Sequence, residues 1–124
     1  MKASIGLVVD DDAQIRSLFA EVLRDGGMQV FEAESGGEAL ELAQTNSPDF
    51  VVTDIQMPGL DGLELCRRLR RSPATAKTPI VVVSGSADEQ ADEATAAGCD
   101  VVLAKPCSPA LLLATIRQLL IKPS

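Results

Sequence analysis

The chain contains no histidine, no tryptophan and no tyrosine, and only 3 phenylalanines among 124 residues. Without an imidazole, acid–base catalysis by histidine and histidine-ligated metal centres are excluded. Positive charge is also scarce: 11 Lys and Arg stand against 18 Asp and Glu, a formal net charge of −7. That balance argues against a nucleic-acid surface, which needs clustered cations. The single basic cluster, Arg67, Arg68, Arg70 and Arg71, reads as the solvated C-terminal end of a helix, where cations are favoured. Three cysteines, Cys66, Cys99 and Cys107, are odd in number and fit no zinc or disulfide spacing, so reduced and mostly buried thiols are expected. No apolar run approaches the ~18 residues that span a bilayer. The first apolar run is too short for a signal-peptide core, which makes the cytoplasm the expected location.

What the chain does contain is organised around Asp49-Phe-Val-Val-Thr-Asp54-Ile-Gln-Met-Pro-Gly-Leu-Asp-Gly62. An apolar, β-branched run ends abruptly on Asp54, and turn residues follow at once. This is the pattern of a buried strand with a carboxylate at its C-terminal end, where open α/β sheets place their ligands. Residues 1–124 are expected to form one domain, long enough to bury roughly two-thirds of the unfolded surface.

In chain order, Ile5 to Val9 reads as a fully buried strand, followed by Asp10, Asp11 and Asp12. Ile15, Leu18, Phe19, Val22 and Leu23 form one stripe of an amphipathic helix, stopped by Gly26-Gly27. Met28 to Phe31 is a shorter strand, placed nearer an edge. Ser35 and Glu38 have capping-box spacing ahead of a second helix, and Asp61 and Glu64 ahead of a third. Ile80 to Val83 is another buried strand, ending on Ser84-Gly85-Ser86. Ser86 and Glu89 repeat the capping spacing before an Ala-rich fourth helix that runs to Gly98. Val101 to Ala104 closes on Lys105-Pro106. Ser108-Pro109 then opens a last helix with Leu112, Ile116, Leu119 and Leu120 facing inward. The sum is five βα units, which implies a doubly wound α/β sandwich: a parallel sheet with helices on both faces.

A parallel sheet gathers its C-terminal strand ends on one edge, and here that edge collects Asp10, Asp11, Asp54, Ser84 and Lys105. Clustered carboxylates repel one another, and a hard divalent cation with oxygen ligands, Mg²⁺, relieves the repulsion. Lys105 suits a phosphoryl oxygen, and Ser84 offers a hydroxyl. Taken singly, the aspartates could be helix caps, Ser84 a turn residue and Lys105-Pro106 a strand terminator. Taken together on one edge, they describe a phosphoryl-transfer site that runs on positioning and charge neutralisation, with a carboxylate as nucleophile.

These residues carry a resemblance that covers essentially the whole chain. Leu7-Val-Val-Asp-Asp11, Val51 to Gly62, Val81-Val-Val-Ser84-Gly-Ser and Leu103-Ala-Lys-Pro106 resemble the receiver domain of two-component response regulators. The resemblance, rather than any spacing in the chain, implies the flavodoxin-like strand order 2-1-3-4-5 of that family. It also implies that Asp54 is the phosphoacceptor and Asp11 the direct Mg²⁺ ligand. Asp10 would act through water, and the backbone carbonyl of Gln56 would complete the protein ligands. Ser84 takes the position of the switch hydroxyl and Lys105 that of the phosphate-binding lysine, with a cis Lys105–Pro106 bond.

The implied function is to accept a phosphoryl group from a histidine kinase or phosphotransfer protein. The first helix, with Gln14, Ser17 and Glu21, would be the docking surface. Phosphate would shift the population of two arrangements and alter partner binding by the fourth helix, fifth strand and fifth helix, as a monomer or a phosphorylation-dependent homodimer. Such a protein is not an enzyme beyond its own phosphorylation and dephosphorylation, and needs neither nucleic acid nor membrane. Gln56 and Ser86 flank the route for attacking water. One position departs from the family: three residues before Lys105, where an aromatic is usual, the chain has Val102. A valine cannot sweep an aromatic's volume, so phosphorylation is expected to survive without aromatic switching.

Two other readings are open to the sequence. A phosphorylation-independent binding scaffold would keep the fold alone, against which the intact Asp, Ser and Lys set weighs. A metal-dependent phosphatase with an aspartyl intermediate would usually carry a second Asp two residues after the nucleophile, where this chain has Gln56.

Overall fold

Three strands are buried almost from end to end: β1 (Ile5–Val9), β3 (Phe50–Asp54) and β4 (Ile80–Ser84). Burial on both faces explains their unbroken apolar runs. In the computed structural model, which describes residues 3–121, they form a five-stranded parallel sheet with β2 (Gln29–Ala33) and β5 (Val101–Ala104), ordered β2-β1-β3-β4-β5. Helices α1 (Ala13–Asp25), α2 (Gly36–Asn46), α3 (Gly62–Arg71), α4 (Ala87–Ala97) and α5 (Pro109–Ile121) alternate with the strands, as expected.

Period-two alternation divides the core into two layers. Leu7, Val9, Val51 and Val82 point toward the side covered by α2, α3 and α4. Val8, Val52, Val81 and Val83 point toward α1 and α5. The register pairs Val9 with Thr53, Asp54 with Val83 and Ser84 with Ala104, which brings the polar strand ends level along one edge.

Several local expectations need correction. β2 starts one residue later than expected and continues to Ala33, through Glu32. Glu32 stays in the strand because Arg16 and Arg24 of α1 pair with its two oxygens at 3.3 and 3.1 Å. On α1 the buried residues are Phe19, Ala20 and Leu23, whereas Leu18 is 47% exposed. The inward stripe is rotated toward α5, against which α1 packs. α4 begins after Ser86, whose side chain makes no cap bond, so the capping-box spacing is not used.

The arginine cluster is not uniformly solvated. Arg67 and Arg68 pair with Glu64, but Arg70 turns inward. Its guanidinium donates to the carbonyls of Gly98 (2.9 Å) and Thr78 (2.7 Å) and meets Asp100 Oδ2 at 3.0 Å. Asp100 Oδ2 also accepts from Ile80 N at 2.8 Å. Arg70 thus ties the end of α3 to the starts of β4 and β5, at the sheet edge opposite Asp54.

Candidate functional site

Asp10 follows the last residue of β1 and Asp54 is the last residue of β3. Both are buried, while Asp11 is exposed, and one oxygen of each of the three lies within 4.8 Å of the others. Local hydrogen bonds fix them. Asp10 Oδ1 accepts from Asp12 N at 2.9 Å, and Asp54 Oδ1 from Ile55 N at 2.8 Å. Asp12 in turn caps α1, accepting from Gln14 N and Ile15 N, so that helix begins at the rim of the site.

The loop after β3 closes over the strand end through Gly62, whose N–H donates to Ile55 O at 2.8 Å. A Cβ on Gly62 would collide with the backbone of Asp54 and Ile55, so only glycine permits this approach. Gln56 lies on that loop with its side chain in solvent.

Lys105 reaches across from the end of β5 and places Nζ 3.2 Å from Asp54 Oδ1 and 3.8 Å from Asp10 Oδ2. The Lys105–Pro106 bond is cis. Burial holds the Asp10 carboxyl above the usual range, against the pull of the Asp12 N–H and Lys105, and the charges of Asp54 and Asp11 add to the rise. Three carboxylates facing one ammonium leave this edge short of positive charge. An all-oxygen, anionic donor set fits a hard divalent cation such as Mg²⁺.

Ser84 is buried, with its hydroxyl turned toward α4. Oγ donates to Gln90 Oε1 at 2.6 Å and accepts from Ser86 N at 3.0 Å. The sheet edge therefore assembles Asp10, Asp11, Asp54 and Lys105 directly, with Ser84 on the adjoining strand end. Val102 pairs with Val82 in the register and packs against the layer under α2, α3 and α4. Two residues escape sequence reasoning. Arg16 braces the site by donating to Asp10 O at 2.8 Å, and Gln90 holds Ser84. Arg16 stands four residues after the Asp12 cap, a detectable placement, whereas Gln90 is one polar residue in an acidic run.

No helix among the described residues is long and apolar enough to cross a membrane. Gln14, Ser17 and Glu21 are all exposed on α1. Beside them Ile15, Leu18, Phe19, Pro106 and Cys107 form an apolar groove next to Lys105.

Comparison with known proteins agrees with this fold. The chain is 34% identical over 115 residues to the phosphate regulon transcriptional regulatory protein PhoB of Pseudomonas aeruginosa, covering 92% of this chain and 50% of that protein. It is 41% identical over 118 residues to the response regulator MprA of a Mycobacterium species, covering 95% and 51% respectively. The chain thus spans about half the length of the curated relatives it matches. Its backbone superposes on the chemotaxis protein CheY4 of Vibrio cholerae with a TM-score of 0.89 at 32% identity, over 94% of this chain and 98% of that one. The model of the response regulator receiver domain matches residues 7–117, and the chain belongs to that family of two-component signalling receivers.

Proposed function

We propose that this receiver accepts a phosphoryl group on Asp54 from a phosphohistidine of a kinase or phosphotransfer protein. The observation that carries the reading is the meeting of Asp54, Lys105 and the Asp10–Asp11 pair at one sheet edge. A carboxylate oxygen of Asp54 attacks phosphorus, and the P–N bond breaks with its electron pair going to nitrogen; the donor ring, protonated on its other nitrogen, leaves as neutral imidazole. Lys105 is already 3.2 Å from the acceptor carboxylate and follows the new charge onto a phosphoryl oxygen. Asp11, Asp54 and the Gln56 carbonyl would hold Mg²⁺ directly, with Asp10 acting through water. When bound, the ion neutralises charge on the phosphoryl oxygens and orients them.

In this proposal residues 1–124 act as one receiver domain in the cytoplasm, and the chemistry it promotes is the phosphorylation and dephosphorylation of its own Asp54. Docking of the donor falls to α1, and the face made by α4, β5 and α5 reads the state out to an output partner, as monomer or homodimer. Val102 leaves that face without a rotating aromatic, so readout runs by another route.

The test is intact-mass spectrometry after incubation with acetyl phosphate, with and without Mg²⁺, beside Asp54→Asn. One Mg²⁺-dependent phosphoryl group, absent in the variant, is expected. An unmodified wild type with bound Mg²⁺ would turn the assignment toward a phosphorylation-independent scaffold.

A further inference from the structure

A serine hydroxyl has one proton to donate. In this structure that proton goes to Gln90 Oε1 at 2.6 Å, in the second turn of α4. We propose that Gln90 is a latch on the receiver switch: it holds Ser84 in the resting arrangement and is released when Ser84 turns to a phosphoryl group on Asp54. The inference rests on the reading of Asp54 as phosphoacceptor. Ser84 cannot donate to Gln90 and to a phosphoryl oxygen at once, so the two bonds are alternatives. Rotation between staggered side-chain states exchanges them.

Two further observations make α4 the element that responds. Its first turn has no side-chain cap. The Ser86 side chain supplies no oxygen to the free N–H groups, and the Ser86 N–H is bound by Ser84 Oγ at 3.0 Å. The start of α4 is therefore tied to Ser84 from two positions, Ser86 and Gln90. α4 is also lightly seated. It buries only Ala94 and Ala97, whereas α3 buries Gly62, Leu63, Leu65, Cys66 and Leu69. Little apolar area opposes a shift of its first turn once the Gln90 bond is lost. Gln90 also lines a groove with Gln56 and Met57 of the loop after β3, which gives its released amide a polar surface to occupy. The switch thus couples Asp54 to α4 through a hydrogen bond, in a protein where Val102 cannot do so by volume.

The test is beryllofluoride, an analogue of the phosphoryl group, titrated with Mg²⁺ into wild type, Gln90→Met, Ser84→Ala and the double variant, with backbone amide NMR as readout. Methionine keeps the length and helix preference of glutamine but offers no comparable acceptor. Gln90→Met is expected to bind beryllofluoride about twofold to tenfold more tightly, the range of one net hydrogen bond. Its unliganded α4 amides should lie displaced toward the bound positions, and the gain should vanish in the Ser84→Ala background. Unchanged affinity with normal Mg²⁺-dependent binding would overturn the latch and leave the phosphoacceptor standing. A gain that persists without the Ser84 hydroxyl would also overturn it. Absence of beryllofluoride binding in wild type would overturn both.

Discussion

Lys105 Nζ lies closer to Asp54 Oδ1, at 3.2 Å, than to Asp10 Oδ2, at 3.8 Å. The ammonium is shared but belongs first to the carboxylate proposed to receive phosphate. Among the described residues its ammonium bridges the two buried carboxylates.

Lys105→Met removes that cation and leaves its aliphatic length. The cluster then presents three carboxylates with no ammonium among them, and an entering divalent ion meets a deeper negative potential. Mg²⁺ is expected to bind about tenfold more tightly in the variant at low salt, an excess that shrinks as ionic strength rises. Phosphoryl uptake from acetyl phosphate should nevertheless fall, because the proposed partner of the phosphoryl oxygen is gone. Calorimetric Mg²⁺ titration at two salt concentrations, with mass spectrometry, checks both directions.

Arg70→Ala is expected to destabilise the fold by about 2–4 kcal/mol, since it strips donors from partly buried carbonyls and leaves Asp100 without its cationic partner. Arg70→Lys should recover only part of the loss, because one ammonium cannot reach Gly98, Thr78 and Asp100 together. Urea unfolding of the three proteins measures it. Arg68→Ala, on an exposed side chain, should cost less than about 0.5 kcal/mol.

Burial pushes the Cys66 thiol up to about 12, with Cys99 adding to the rise. The unfolded thiol ionises from about pH 9, so the folded state holds its proton where the unfolded state releases it. The contribution of this group to stability is therefore complete below pH 9 and is lost as pH climbs toward 12. Cys66→Val, similar in size and unable to ionise, should show a shallower fall in urea midpoint between pH 9 and pH 10.5. An equal fall in both proteins would show that the thiol does not contribute.

The strands and their polar ends were legible because a strand buried on both faces leaves an unbroken apolar run, as in Phe50–Thr53 and Ile80–Val83. Parallel topology then does the gathering, whatever the distances. Side chains whose role depends on a distant partner were not legible. Glu32 looks like a strand terminator until Arg16 and Arg24 arrive from α1. Arg70 resembles Arg67, Arg68 and Arg71 in sequence, and only the helical phase that carries it past Cys66 turns it inward. Ser86 and Glu89 have the spacing of a capping box, but the Ser84 hydroxyl occupies the Ser86 N–H that such a box would use.

The Arg70 clamp has a mechanical consequence for signalling. It pins the starts of β4 and β5 to the end of α3, while the opposite ends carry Ser84, the last residue of β4, and Lys105, the residue after β5. Such a sheet resembles a row of reeds set in a common base. A force applied at the free tips bends the tips and cannot slide one reed along another. In the proposed cycle, chemistry at Asp54 is therefore expected to displace the loops and helix near the carboxylates and to leave strand register unchanged.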